Sequence, residues 1–280
     1  MIKNVMVAID GSDCAEYARR YAVDLCLRLH AQLEAVLVVD TGRLEYPLFT
    51  LQAPGFNPSL AGALRNLRDL LAQQGQAALD EAARRSESEG LPVATSLHYG
   101  RPAAVLADIH TRSELVVLGR HGENASDASD PSGSVMDRFI RRARRPVLVV
   151  PRPAPLPESI LVGVDGSESA FRAVHVAVEL ANALSARLVI ASVAESGQDA
   201  ETATSRVLEA HSIARAHDCA AATWTAVGTP APLLMEAAAR TGSNLIVLGA
   251  HGHGWFYDRL LGSVAAQLAD LSESPLLLVR

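Results

Sequence analysis

LVVLGRHG at residues 115–122 and LIVLGAHG at residues 245–252 are nearly the same passage written twice, and each is followed by Gly-Ser-Val, at 133–135 and 262–264. In both, a β-branched apolar run leads into two glycines three apart, then a spacer, then Gly-Ser opening a helical pattern. A short apolar run closed by glycine reads as a buried strand. A glycine turn running into a helix N-terminus presents backbone N–H groups to an anion. The chain therefore reads as a phosphate-binding strand, loop and helix present in two copies.

The repeat extends outward from these loops. Val5–Leu33 (VMVAIDGSDCAEYARRYAVDLCLRLHAQL) and Ile160–Leu188 (ILVGVDGSESAFRAVHVAVELANALSARL) align without a gap and carry Asp-Gly-Ser at the same point. PRPAPLP, residues 151–157, is too proline-rich for either core and marks the boundary. Within the first copy, strands at VMVAI, QLEAVLVV, PVATSLHY, ELVVLG and PVLVV alternate with helices at Ser12–Leu29, Leu64–Glu89, after Gly100 and after Ser134. The second copy offers ILVGV, RLVIASV, AATWTAV, NLIVLG and PLLLV, with helices after Ser167, near Thr202–His217, after Thr229 and after Ser263. Near-continuous apolar strands separated by helices require a parallel sheet covered on both faces. The expected fold is α/β: two repeated, doubly wound, Rossmann-like domains with mainly parallel five-stranded sheets, at 1–151 and 158–280. An insertion at about 41–63, with Tyr46, Phe49 and Phe56, has no counterpart in the second copy and reads as a lid or an oligomer contact.

Composition agrees with a duplicated protein. At 280 residues there is length for two domains, each burying its own core. Apolar residues make up 49% and charged residues 20%, and no apolar run approaches the roughly 18 residues of a membrane span. MIKNVMVAID enters a strand at once, so no signal peptide and no membrane partner are expected, and the location expected is cytoplasmic. A net charge of −6 argues against a nucleic-acid partner, which needs a basic footprint. Cys14, Cys26 and Cys219 lack metal-ligand spacing and read as small apolar helix residues in a reducing compartment.

In an open α/β sheet, ligands bind beyond the carboxyl ends of the strands where strand order reverses. That places Asp10-Gly11-Ser12 beside the Gly119 loop, and Asp165-Gly166-Ser167 beside the Gly249 loop. For a nucleotide, glycines admit phosphate oxygens close to backbone N–H groups at the helix start. Ser134 and Ser263 add a hydroxyl. A carboxylate at Asp10 or Asp165 would repel phosphate, so it belongs at the ribose hydroxyls. The competing assignment is helix N-capping, a role Ser12 and Ser167 can also take.

At these residues the chain resembles the universal stress protein family, with two copies of its domain in tandem. The nucleotide-binding pattern of that family, Gly-x2-Gly-x9-Gly-Ser/Thr, matches Gly249, Gly252, Gly262 and Ser263 with the same spacing. Gly119, Gly122, Gly133 and Ser134 match with ten spacer residues instead of nine. The resemblance implies an adenine nucleotide alpha hydrolase-like fold and ATP as ligand, with or without Mg²⁺. It implies adenine held by main chain at Val38 and Val193, ribose at Asp10 and Asp165, phosphates at the glycines and serines, and a pocket wall completed by Val135 and Val264. It further implies that PVLVV and PLLLV pair inside the chain as a built-in pseudo-dimer, with a homodimer as a further option.

The two copies differ. The first spacer, ENASDASDPS, carries Glu123, Asp127 and Asp130, and reads as a solvated flap or, with Mg²⁺, a metal-assisted site. The second, HGWFYDRLL, is largely apolar with Arg259, which makes the second site the better fit. His121, His251 and His253 read as loop-facing or as neighbours of phosphate, since no carboxylate or cysteine stands at ligand spacing for a metal. Arg138, Arg141, Arg142, Arg144 and Arg145 read as a solvated helix face or a contact for an anionic partner.

Three function classes follow. One is a nucleotide-binding stress or signalling protein whose ATP occupancy changes conformation or assembly. Another is a slow ATPase or nucleotidyl transferase, although the chain lacks Gly-x4-Gly-Lys-Ser/Thr, the Ser-Gly-Gly-x-Asp-Ser run of related pyrophosphatases and any evident nucleophile–base pair. The last is a nucleotide-free interaction module. No catalytic residue and no resident metal are assigned.

Overall fold

The computed structural model describes residues 2–41, 58–122, 134–251 and 261–280. The first half runs β1 (Asn4–Ile9), α1 (Asp13–Leu29), β2 (Gln32–Asp40), α2 (Pro58–Ser88), β3 (Ala94–Gly100), α3 (Pro102–Ile109), β4 (Leu115–Gly119), α4 (Val135–Ile140) and β5 (Val147–Val150). The second runs β6 (Ser159–Gly163), α5 (Glu168–Leu184), β7 (Arg187–Ala194), α6 (Ala200–Ala216), β8 (Ala221–Val227), α7 (Pro230–Thr241), β9 (Leu245–Gly249), α8 (Ser263–Leu271) and β10 (Leu276–Val279). Most elements fall where the apolar patterns put them. One difference is α2, which begins at Pro58 rather than Leu64, so the end of the expected insertion is helical. Proline is accommodated in a first helical turn, where its missing N–H costs nothing.

The ten strands form one sheet in the order β3-β2-β1-β4-β5-β10-β9-β6-β7-β8. Within each half every pairing is parallel; the halves join where β5 meets β10 antiparallel, with Leu276 opposite Val149 and Leu278 opposite Val147. The physical reason lies in the two strands. VLVV and LLLV are buried at every position, so neither can serve as a solvated edge.

Both faces of the sheet are covered, and both cores run through the two halves. One packs Tyr21, Leu25 and Leu79 with Val174, Leu184 and Val207; the other packs Leu106 and Phe139 with Leu234 and Leu268. No described helix is long and apolar enough to cross a membrane.

Two buried polar groups set the electrostatics of the first half. Arg19 on α1 is 1% exposed and donates from Nε and Nη2 to Glu16, from Nη1 and Nη2 to Glu89, and from Nη1 to Ser86 Oγ. This uses all five guanidinium donors. Burial works against the ionised form of Glu16, but the hydrogen bond and charge of Arg19, joined by Arg85, hold its carboxyl below the usual range. The network ties α1 to the C-terminal end of α2.

His110 is the other, locked between Ala107 O, 2.8 Å from Nδ1, and the Arg144 N–H, which donates to Nε2 at 2.7 Å. Burial, opposed by the Ala107 bond and aided by the charges of Arg144 and Arg145, lowers its pKa from 6.5. The depressed value means that the fold favours neutral imidazole. Its stabilising contribution is complete above pH 6.5 and is lost as pH falls through the lower folded value. The urea midpoint should therefore drop on acidification below pH 6.5, and His110→Leu should lose that part of the slope while being less stable throughout. A wild-type midpoint that stays flat down to pH 5 would refute this assignment.

Candidate functional site

In each half the chain runs outward from the first strand and then crosses back to its other side. The reversal points are therefore β1 beside β4 and β6 beside β9. At each point Asp-Gly-Ser makes the same turn. Gly11 and Gly166 both sit at φ 87°, a region that L side chains rarely adopt. Asp10 Oδ1 accepts from Ser12 N at 3.0 Å, and Asp165 Oδ1 from Ser167 N at 2.9 Å. Ser12 and Ser167 are the helix N-caps, accepting from Ala15 N and Ala170 N. Capping thus falls to the serines, and each aspartate braces the turn.

The glycine loops lie directly over these turns. A Cβ on Gly119 would come within 2.6 Å of the Cys14 backbone, and one on Gly249 within 2.7 Å of Ala170 N, so both positions depend on glycine for close approach. The loops are then held by hydroxyls. Ser12 Oγ donates to His121 O at 3.4 Å and Ser167 Oγ to His251 O at 3.3 Å, with Ser169 Oγ also donating to His251 O. Gly122 stands so close to Asp10 that a Cβ would be 2.6 Å from Oδ2.

These elements enclose a cavity of about 750 Å³ in the first half, within the range of small-molecule sites. Asp10, Val38, Gly119, Gly122, Ser134 and Val135 all line it. Val36, Leu106, Leu118 and Met136 supply apolar wall, and α2 roofs it with Leu71, Gln74, Gly75 and Ala78. At one wall the main chain is exposed: β1 pairs with β2 only as far as Ile9 opposite Leu37, so Val38–Asp40 pair with β3 alone. In the second half β6 pairs with β7 as far as Gly163 opposite Ala191, so Val193 stands in the same overhang. Gly262 N donates to Ala250 O at 2.9 Å, which returns the second loop to the end of β9 ahead of Ser263 and Val264. Gly133 and Gly252, with the first spacer and residues 253–260 of the second, His253 among them, lie outside the described residues; Leu261, which ends the second spacer, is buried.

The loop serines differ between the halves. Ser134 caps α4 in a reciprocal box: its hydroxyl accepts from Asp137 N at 3.1 Å, and Asp137 Oδ2 accepts from Ser134 N at 3.2 Å and Ser134 Oγ at 2.9 Å. The position equivalent to Asp137 is Ala266, so α8 has no such carboxylate, and Gly262 is its N-cap. Sequence reasoning missed Asp137, although Ser-x-x-Asp is a variant of the capping-box pattern. It also missed Leu71 and Gln74, whose place over the cavity depends on where α2 packs.

Arginines beside both glycine loops reach across the seam. Arg120 donates to Ser272 O at the end of α8, while Arg280 donates to Ile140 O at 2.5 Å and contacts His251 Nε2 at 3.2 Å. Burial lowers the pKa of Arg120, against the pull of Asp270. Arg141, Arg142, Arg144 and Arg145 are exposed beyond the end of α4. Cys14, Cys26 and Cys219 are free, and burial pushes the Cys26 thiol up to about 12. Among the described residues no group of three or more His, Cys, Asp or Glu could hold a metal ion.

Fold and site together define a class: two doubly wound α/β units joined in one sheet, with the same Asp-Gly-Ser turn at each strand-order reversal and a cavity described at the first. The profile of the universal stress protein family matches the chain twice, at residues 1–151 and 157–280, and the chain belongs to that family. It is similar along its whole length to Universal stress protein Slr1230 of Synechocystis sp., 24% identical with 100% of each chain covered. It is also similar to Universal stress protein Mb2019 of Mycobacterium bovis, 25% identical over 99% of this chain and 94% of the relative. Among solved structures, a universal stress protein from Archaeoglobus fulgidus superimposes with a TM-score of 0.76 over 99% of this chain and 96% of that one; at 17% identity the likeness is one of fold.

Proposed function

We propose that each half, 1–151 and 158–280, carries an adenine-nucleotide site, that the second accepts ATP, and that occupancy alters conformation or assembly in a cytoplasmic stress or signalling response. The observation that carries this reading is the cavity of about 750 Å³, into which Asp10, Val38, Gly119, Gly122, Ser134 and Val135 converge from separate elements. The residues fit such a ligand. The overhanging backbone at Val38 and Val193 offers donors and acceptors to a base edge, and the apolar wall suits its faces. Asp10 and Asp165 would accept from ribose hydroxyls. Gly119, Gly122 and Gly133 in the first half, and Gly249, Gly252, Gly262 and Ser263 in the second, would face phosphate, with Mg²⁺ carried by the nucleotide. Val135 and Val264 would close the wall.

The test is to denature the purified chain, identify released nucleotide by mass spectrometry, and then incubate refolded or native protein with ATP and follow ADP. Absence of both bound nucleotide and ATP affinity would sink the reading; multiple turnovers would make the chain an ATPase. Asp165→Asn should weaken ATP at the second site roughly tenfold by loss of a charge-assisted hydrogen bond. The same change should leave 2′,3′-dideoxy-ATP almost unaffected. Equal losses for both nucleotides would remove Asp165 from the ribose.

A further inference from the structure

We propose that Arg120 and Arg280 are positioning residues that make each ligand site depend on the opposite half, so that nucleotide at one site strengthens binding at the other. This rests on the nucleotide reading given above. Arg120 follows Gly119 and contributes to the lining of the first cavity, with its N–H fixed to Val150 O at 3.2 Å. Its guanidinium crosses the seam to Ser272 O, the C-cap of α8, the helix that opens at Ser263 of the second site. Arg280 makes the opposite crossing. It follows β10, meets His251 Nε2 of the second loop at 3.2 Å, and donates to Ile140 O. Ile140 ends α4, the helix that opens behind Ser134 and Val135 in the wall of the first cavity. Each loop is thus tied to the far end of the other half's loop helix.

The carbonyls at a helix C-terminus have no partner within the helix, and a cation there also meets the negative end of the dipole. Capping alone does not account for these arginines. Burial lowers the pKa of both, so each charge is held in place against desolvation. Arg120 Nε is buried with no hydrogen-bond partner among the described residues, and a buried orphan donor is a defect in a contact kept for stability. The pattern is not inherited from the duplication either, because the equivalent of Arg120 is Ala250 and the equivalent of Arg280 is Pro151. The same crossed contact is built from two unrelated positions. A ligand that orders the first loop fixes Arg120 and with it the last turn of α8, where Ser272 N donates to Leu268 O at 2.9 Å and Ser272 Oγ to Ser274 O at 2.9 Å. The second nucleotide then meets a helix already held, and linkage requires the same gain in reverse.

Hydrogen–deuterium exchange of the full chain with and without ATP tests this. Gly249→Val removes ATP from the second site, so a response in α8 must come from the first; Asp165→Arg, which fills the ribose position, replaces it if that chain does not fold. ATP is expected to protect residues 36–40 of the first cavity and to slow exchange across residues 268–274 at least about fivefold. Adding Arg120→Met should raise exchange at 268–274, abolish its response to ATP, and leave the protection of 36–40 in place. A merely structural tie would raise the exchange without there having been a response to lose. In the mirror measurement Gly119→Val disables the first site, and Arg280→Met should remove the response of residues 137–143 to ATP in the second. The inference is overturned if 268–274 do not respond while 36–40 are protected, or if their response survives Arg120→Met. ATP that protects neither half would instead remove the nucleotide reading on which it depends.

Discussion

Arg19→Met is expected to lower the stability of the chain by about 3 kcal/mol, the lower end for breaking a buried ion pair by deleting one partner. The lower end applies because Glu16 and Glu89 retain 30% and 35% side-chain exposure and can recover some hydration. Methionine fills much of the space but leaves two carboxylates facing each other and Ser86 Oγ without its donor. For a protein of this size the loss corresponds to roughly 6–10 °C in melting temperature. Adding Glu16→Gln and Glu89→Gln to the same chain should recover much of it, since the cost lies in uncompensated charge more than in lost packing. A single variant that melts within a degree of the original would show that Arg19 is not the tie between α1 and α2.

Gly249→Val should damage both stability and ligand binding. Its Cβ would meet Ser169 Oγ at 2.6 Å and, more seriously, Ala170 N and Ser169 C at 2.7 and 2.8 Å, backbone atoms of the first turn of α5 that cannot rotate away. Overpacking of this kind costs about 2 kcal/mol. The displacement also pulls His251 O from Ser167 and Ser169, so the loop leaves the turn that holds Asp165. ATP affinity at the second site should fall roughly a hundredfold, equivalent to losing one or two charge-assisted hydrogen bonds. Nucleotide binding in the first half should persist. If ATP affinity survives in a folded Gly249→Val chain, the loop does not hold the nucleotide.

Much of the fold was legible because it depends on short-range pattern. Runs such as LVVLG and LLLV are apolar at every position, which only a strand covered on both faces tolerates, and Asp-Gly-Ser marks the same turn twice. The crevice residues followed from topology, since Asp10 and Gly119 come from strands that must flank the reversal point. What escaped the sequence depended on distance in the fold. Arg19 looks like any polar residue of an amphipathic helix until Glu89 packs over it. The roof over the first cavity required α2 to begin near Pro58 and to lie across β2. Asp137 was overlooked for a different reason: Ser134 was read as a ligand donor, whereas in the fold it closes a capping box with Asp137 at the start of α4. The unequal spacers suggested a better second site, and apart from the buried Leu261 both spacers lie outside the described residues.

The antiparallel meeting of β5 and β10 carries an evolutionary consequence. In a dimer of identical subunits, any change to one pocket appears in the other, so a residue such as Asp137 would alter both sites at once. Joining the halves through a covalent link frees each pocket to drift separately. It also holds them together at an effective concentration that dilution cannot lower. Duplication inside one chain therefore trades the option of regulation by dissociation for the option of division of labour, and at Asp137 and Ala266, equivalent positions of the two loop helices, the halves have already diverged.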